Sequence, residues 1–307
     1  MRVWYYILKY EFSKGSIMKK VRKAVIPAAG LGTRMLPASK SVPKEMYPVV
    51  DRPAIQFLVE EAVKSGITDI LIITSRGKES IESYFDKNFD YNIKLSASGK
   101  TKELSELERI ENLANIYFLR QKEAKGLGHA VLCAKNFVGD EPFAVLYGDD
   151  MIISETPVCK QLTDIWEEHG KPVVGVKEVP TEKVMKYCSL KTTPMEKEGL
   201  YDVSDMIEKP SREQIFSNFS ILGRVVLPPE IFEILEKTAP GAGGEIQLTD
   251  AMAELSRKGG ILAYDYEGKR YDMGSKLGFI MANIDVGLKH EETAEGLKEY
   301  LKSLKLD

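Results

Sequence analysis

Cysteine and histidine are scarce in this chain of 307 residues, and the spacing of the few present removes whole classes of site. Cys133, Cys159 and Cys188 form no C-x-x-C pair and leave an odd count. That supports neither a disulfide framework nor a zinc ribbon and fits a reducing cytoplasm. His129, His169 and His290 show no H-E-x-x-H or H-x-H spacing, so a histidine-built metal centre is unsupported. A catalytic metal would have to be a hard ion held by carboxylates. Net charge is also lacking: 43 lysines and arginines against 46 aspartates and glutamates leave -3. No global basic field points to nucleic acid or an anionic membrane, so any anion site must be local. The apolar start, MRVWYYILKYEFSKGSI, is broken by Lys9, Glu11 and Lys14, short of the ~18 apolar residues of a spanning helix. No small-residue cleavage site comes after it. Residues 1–18 are therefore expected to be a non-secretory extension, from an upstream start codon or from cloning.

The chain has the 43% apolar and 29% charged make-up of an ordinary globular protein. VRKAVIP (21–27), DILIIT (69–74), IYFLRQ (116–121), FAVLYGDD (143–150) and PVVGVKEV (172–179) are short runs that suit buried strands. PAIQFLVEEAVKSG, opened by Pro53 and closed by Gly66, and GLGHAVLCAKNFV after Gly126 read as amphipathic helices between them. Such repeats predict an α/β fold with a Rossmann-like, mainly parallel central sheet flanked by helices. From about residue 180 the pattern is mixed: strand-like YCSLK, LYDVSDMIEKP, SILGRVVLP and ILAYDYEG, with helical segments at 229–237 and 245–259. A smaller mixed β sub-domain is expected there. No flexible linker intervenes, so one domain over 19–290 is expected, with a nucleotide half to about 150 and a sugar half beyond. The charged stretch 96–115 reads as an exposed excursion with one helix, and 291–307 as a C-terminal helix.

The loop after the first strand carries the chemistry. PAAGLGTRMLPASKSVPKEMYP (27–48) combines Gly30, Gly32, Arg34, Lys40 and Lys44 with four prolines. Ligands of parallel sheets bind beyond the C-terminal strand ends, where glycines let backbone N–H groups approach phosphate oxygens. Pro37, Pro43 and Pro48 would hold Arg34 and Lys44 in an extended presentation. Thr33 to Met35 offer no third glycine for the dinucleotide fingerprint, and the Walker A loop is absent. Asp149 ends an apolar strand, where a carboxylate has no packing reason to be.

PAAGLGTRMLPASKSVPKEMYPVVDRP resembles the signature of the sugar-nucleotide pyrophosphorylases, in wording close to the bacterial UTP-glucose-1-phosphate uridylyltransferases. RQKEAKGLGHAVLCA (120–134), DEPFAVLYGDD (140–150), IEKP (207–210), SNFSILGRVVL (217–227), GAGGEIQLTDA (241–251) and EGKRYDMGSKLGF (267–279) match in the same order. The resemblance implies a nucleotide-diphospho-sugar transferase fold and the reaction of UTP with glucose 1-phosphate to UDP-glucose and pyrophosphate. It also implies a cytoplasmic homodimer or homotetramer that needs Mg²⁺. Arg34 would clamp the β and γ phosphates, Lys44 the α-phosphate, and Lys209 the sugar phosphate. Ala28, Ala29, Gly30, Gly32 and Thr33 would line the nucleotide, Gln121 and Gly126 would read the uracil, and Glu208 would accept from glucose hydroxyls. Asp149 and, as second ligand, Asp272 would hold the metal. His129, inside a predicted helix, reads as structural, and no role is assigned to Asn218 or Glu245.

The chain departs from that pattern at Tyr187-Cys188-Ser189-Leu190, where a glycine usually comes after the tyrosine. Cys188 is expected at the sugar pocket wall, where a side chain would crowd the sugar or alter preference. It is no nucleophile, since the reaction needs no covalent step. Met273 is a smaller departure. Three rival readings stand beside the first: a pyrophosphorylase for another hexose 1-phosphate or for dTTP, a sugar-nucleotide-binding regulator without turnover, and a dehydrogenase on fold alone.

Overall fold

A computed structural model describes residues 19–305; the expected extension over 1–18 lies outside them. In chain order the strands are β1 (Lys23–Pro27), β2 (Pro48–Val49), β3 (Arg52–Pro53), β4 (Asp69–Thr74), β5 (Asn115–Arg120), β6 (Phe143–Leu146), β7 (Asp150–Ile153), β8 (Val173–Glu178), β9 (Cys188–Pro194), β10 (Leu200–Glu208), β11 (Phe219–Leu227), β12 (Ile261–Asp265) and β13 (Lys269–Asp272). Nine of them form one sheet in the order β5-β4-β1-β6-β11-β8-β12-β10-β9.

The first half is the parallel arrangement its β-α-β rhythm predicts: β1 lies between β4 and β6, with β5 outside β4, all parallel. Beyond β6 the sheet turns mixed, because β11 runs antiparallel to both β6 and β8. β9 and β10 are joined by residues 195–199 alone, too short for the crossover that a parallel pair needs, and form an antiparallel hairpin. The irregular second half thus prolongs the central sheet.

Alternation along each strand feeds two cores. In β1, Val25 packs on one face and Ala24 with Ile26 on the other. A third cluster places Met151, Tyr271 and Met273 under the helix Lys276–Gly287. The helix expected after Gly126 runs over Leu127–Leu132, with a separate turn at Lys135–Val138. The charged excursion holds Thr101–Glu111 and, before it, a helix over Phe89–Ala97 with no buried residue. The C-terminal helix spans Ala294–Ser303.

For the site, the sheet does one thing. Parallel β1, β4 and β6 end on one rim, and the loops leaving them converge there. The small β7–β13 pair sets Asp150 opposite Asp272, which carries the end of the chain back to that rim.

Candidate active site

The basic loop is held from below. Its first amide, Ala28 N, donates to Ile73 O of β4 at 2.8 Å. Ala28 and Ala29 are buried, whereas Gly30, Thr33 and Arg34 are open to solvent. The chain then makes three short 3₁₀ turns, Thr33–Met35, Ala38–Lys40 and Lys44–Met46, punctuated by Pro37 and Pro43. Ser39 Oγ closes the first bend by donating to Gly32 O at 2.9 Å. Beneath, Lys78 donates to both Glu45 oxygens, at 2.9 and 2.8 Å, and to the carbonyl of Ala28. One buried ammonium therefore pins the loop at its start and beside Lys44. Burial pulls Lys78 down and pushes Glu45 up against their mutual attraction. Sequence reasoning passes over this pair. Glu45 directly follows a candidate lysine, but nothing local links it to Lys78.

Above the loop, two carboxylates and two cations interlock. Lys44 Nζ lies 2.6 Å from Asp149 Oδ2. Arg34 spans both acids, with Nη2 3.6 Å from Asp149 Oδ2 and Nη1 3.1 Å from Asp272 Oδ2. Burial opposes charge on Lys44, yet Asp149 and Glu45 prevail and raise its pKa. Burial likewise opposes the Asp149 carboxylate, and Lys44, Arg34 and Arg270 outweigh it, holding that acid below its usual range. Gly274, unmarked in the sequence, makes room for the cluster: a Cβ there would come within 2.6 Å of Arg34 Nη2, 2.9 Å of Asp149 Oδ2 and 3.0 Å of Asp272 Oδ1. Two carboxylates bridged by one largely solvent-exposed arginine suit a hard divalent ion that takes its other ligands from phosphate and water. No group of three or more potential ligands occurs among the described residues.

Gln121 starts the neighbouring loop. It is buried, and its Nε2 reaches Gly126 O at 3.2 Å and His129 Nδ1 at 2.9 Å. The contact requires the proton of a neutral His129 on Nε2, so this histidine orients Gln121. Gly126 sits at φ 98°, and a Cβ there would meet Ile246 O at 2.8 Å and Glu245 Cβ at 2.7 Å. Close packing therefore demands glycine at 126, whatever binds nearby.

On the far side, Glu208 and Cys188 face each other across β9–β10. Glu208 Oε2 accepts from Thr249 Oγ1 at 2.8 Å, and burial, partly offset by that bond and by Lys209, raises the carboxyl. Lys209 Nζ lies 4.0 Å from Glu208 Oε1. Cys188 is 3% exposed, packs in the core cluster, and its Sγ accepts from Ile221 N at 3.3 Å. Burial pushes the thiol up to about 12, which removes it as a nucleophile. The sulfur packs inside the core cluster, while the backbone of Cys188 lies directly opposite Glu208. Cys188→Gly should lower stability by about 2 kcal/mol through lost packing and added chain entropy. Sugar-phosphate KM should hold; chemical denaturation beside steady-state kinetics checks both, and a KM change at unaltered stability would contradict this placement. Asn218 takes a contact from Thr181 at 3.4 Å, and Glu245 one from Gln247 at 3.1 Å.

Two cavities of about 560 and 820 Å³ lie away from this cleft, both bordered by His290 and Glu291, and neither is lined by Arg34, Lys44, Asp149 or Lys209. No helix among the described residues is long and apolar enough to cross a membrane.

Residues 23–287 match the family model described as nucleotidyl transferase. The chain is 53% identical over 286 residues to the UTP-glucose-1-phosphate uridylyltransferase YngB of Bacillus subtilis strain 168, covering 93% of this chain and 96% of that protein. It is 50% identical over 288 residues to a UTP-glucose-1-phosphate uridylyltransferase of Staphylococcus epidermidis, covering 94% and 99%. A solved structure of a UTP-bound UGPase from Acinetobacter baumannii superimposes with TM-score 0.86 at 40% identity, covering 93% of this chain and all of that one (100%).

Proposed function

Because this chain belongs to the nucleotidyl transferase family, we propose that it joins UTP and glucose 1-phosphate into UDP-glucose with release of pyrophosphate. The observation that carries this reading is the Lys44–Asp149–Arg34–Asp272 cluster on the strand-end rim, in a chain so similar to uridylyltransferases.

The sugar phosphate is already an anion and needs no strong base. What opposes reaction is repulsion between two anions and charge gathering on the leaving pyrophosphate, and fixed cations with positioning answer both. Arg34, its side chain largely in solvent, would exchange its carboxylates for the β and γ phosphates. Lys44, short of solvent and held by Asp149, would meet the α-phosphate as a preorganised charge with little rearrangement. Lys209 would neutralise the incoming sugar phosphate, and Glu208, oriented by Thr249, would accept from sugar hydroxyls. Gln121 has its amide donors engaged, which leaves its carbonyl oxygen to accept from the N3–H of uracil. Asp149 and Asp272 would hold Mg²⁺, which supplies charge neutralisation at the phosphate oxygens. The three free cysteines accord with work in the cytoplasm.

Pyrophosphate release by the purified protein with UTP, glucose 1-phosphate and Mg²⁺ tests the reading. Release is expected, lost on chelation and restored by Mg²⁺; activity that survives complete chelation would remove the metal from the account. Cys188 gives no reason to expect a different sugar, since its sulfur is in the core.

A further inference from the structure

Lys209 is one of two non-glycine residues with positive φ, at 45°, among the described residues. Such a backbone costs on the order of 1–2 kcal/mol and persists only where neighbours enforce it. The enforcing contact is Lys209 N donating to Tyr187 O at 2.7 Å. Tyr187 is itself backed by Arg270, whose guanidinium carbon lies 5.5 Å from the tyrosine ring centroid. Arg270 is fixed from behind by buried Asp150, with Nε 2.7 Å and Nη2 2.5 Å from Oδ1. β11 packs closely on buried Asp150: a Cβ at Gly223 would come within 2.9 Å of Asp150 Cβ.

These contacts join the two ends of the site. Asp150 directly follows Asp149, and Arg270 stands two residues before Asp272 on β13. We propose that Arg270, anchored by Asp150 and acting through Tyr187, is a positioning residue that fixes Lys209 relative to Asp149 and Asp272, and so sets where the sugar phosphate binds. The proposal rests on the reading of Lys209 as the sugar-phosphate contact. Tyr187 transmits the position through its ring, over which the Arg270 guanidinium carbon lies.

The test is steady-state kinetics on Arg270→Lys, Tyr187→Leu and Tyr187→Phe with each substrate varied in turn. Arg270→Lys keeps a cation opposite Asp150 but loses the planar face. It is expected to raise the KM for glucose 1-phosphate about tenfold while that for UTP stays within about twofold. Tyr187→Leu, which leaves the buried ion pair intact and carries the test if the arginine variant misfolds, should do the same. Tyr187→Phe, which keeps the ring, should stay within about twofold of wild type for both KM values. Equal changes in both KM values, or unchanged glucose 1-phosphate KM in Tyr187→Leu, would overturn the proposal while the wild-type reaction stands. A wild-type protein inactive on glucose 1-phosphate would overturn the functional reading and this proposal with it.

Discussion

Lys44→Met is expected to lower kcat by about 10²–10³-fold, the range seen when one preorganised donor is removed from developing charge. Methionine keeps the length and apolar contacts of the stem and deletes the ammonium. That ammonium lies at hydrogen-bond distance from Asp149, 2.6 Å, with a side chain only 13% exposed. Because the site is partly shielded, its charge acts through a lower dielectric than an exposed lysine would. Its neighbour Glu45 is separately neutralised by Lys78, so the loop keeps its anchor and the variant should fold. The expected pattern is a large fall in kcat, a modest rise in KM for UTP and a small loss of stability at neutral pH, because Asp149 keeps only the more distant Arg34. A kcat within tenfold of wild type would remove Lys44 from the reaction.

Glu61→Leu should destabilise the protein by about 3–5 kcal/mol, the cost of leaving one partner of a buried ion pair uncompensated. Arg224 is 1% exposed and faces Glu61 with two parallel bonds, Nε to Oε1 at 2.9 Å and Nη2 to Oε2 at 2.7 Å. Glu61 Oε1 also accepts from Cys159 N at 2.9 Å at the start of the helix Val158–His169. The leucine variant therefore strands a guanidinium and a helix-end amide together. Adding Arg224→Met should recover much of the loss, since an apolar pair of similar volume avoids the desolvation of both charges. Urea unfolding of the single and double variants measures this. A single variant within about 1 kcal/mol of wild type would mean that water or another group already compensates the arginine.

The parallel half of the fold is legible in the sequence because each of its strands is a short apolar run bounded by turn residues. The strand-end loop is legible because glycines, prolines and cations crowd into 27–48, and Asp149 because a carboxylate ends an apolar run. The rest depends on register and distance in sequence. Asp272 reaches Arg34 only because β13 pairs with β7 antiparallel, which no local pattern encodes. Glu45 and Lys78 meet across two elements, and an isolated lysine in SRGKES carries no mark of burial. Cys188 reads as pocket wall because the family resemblance concerns the backbone there. Its side chain follows the alternation of β9 into the core instead. The helix Phe89–Ala97 escapes a sequence reading because it buries nothing and so leaves no periodic stripe. Arg270 is an ordinary polar residue of a turn-rich strand in sequence, and only the fold sets Asp150 and Tyr187 on either side of it.

The central claim, uridylyl transfer to glucose 1-phosphate, is tested most directly by competition. UTP, dTTP, CTP, ATP and GTP would be supplied together with glucose, galactose and N-acetylglucosamine 1-phosphates, Mg²⁺ and inorganic pyrophosphatase, and the nucleotide sugars formed would be identified by mass. UDP-glucose should accumulate first and in excess of every other product. A different nucleotide sugar in the lead would contradict the substrate assignment, and a mixture left unreacted would contradict the activity itself.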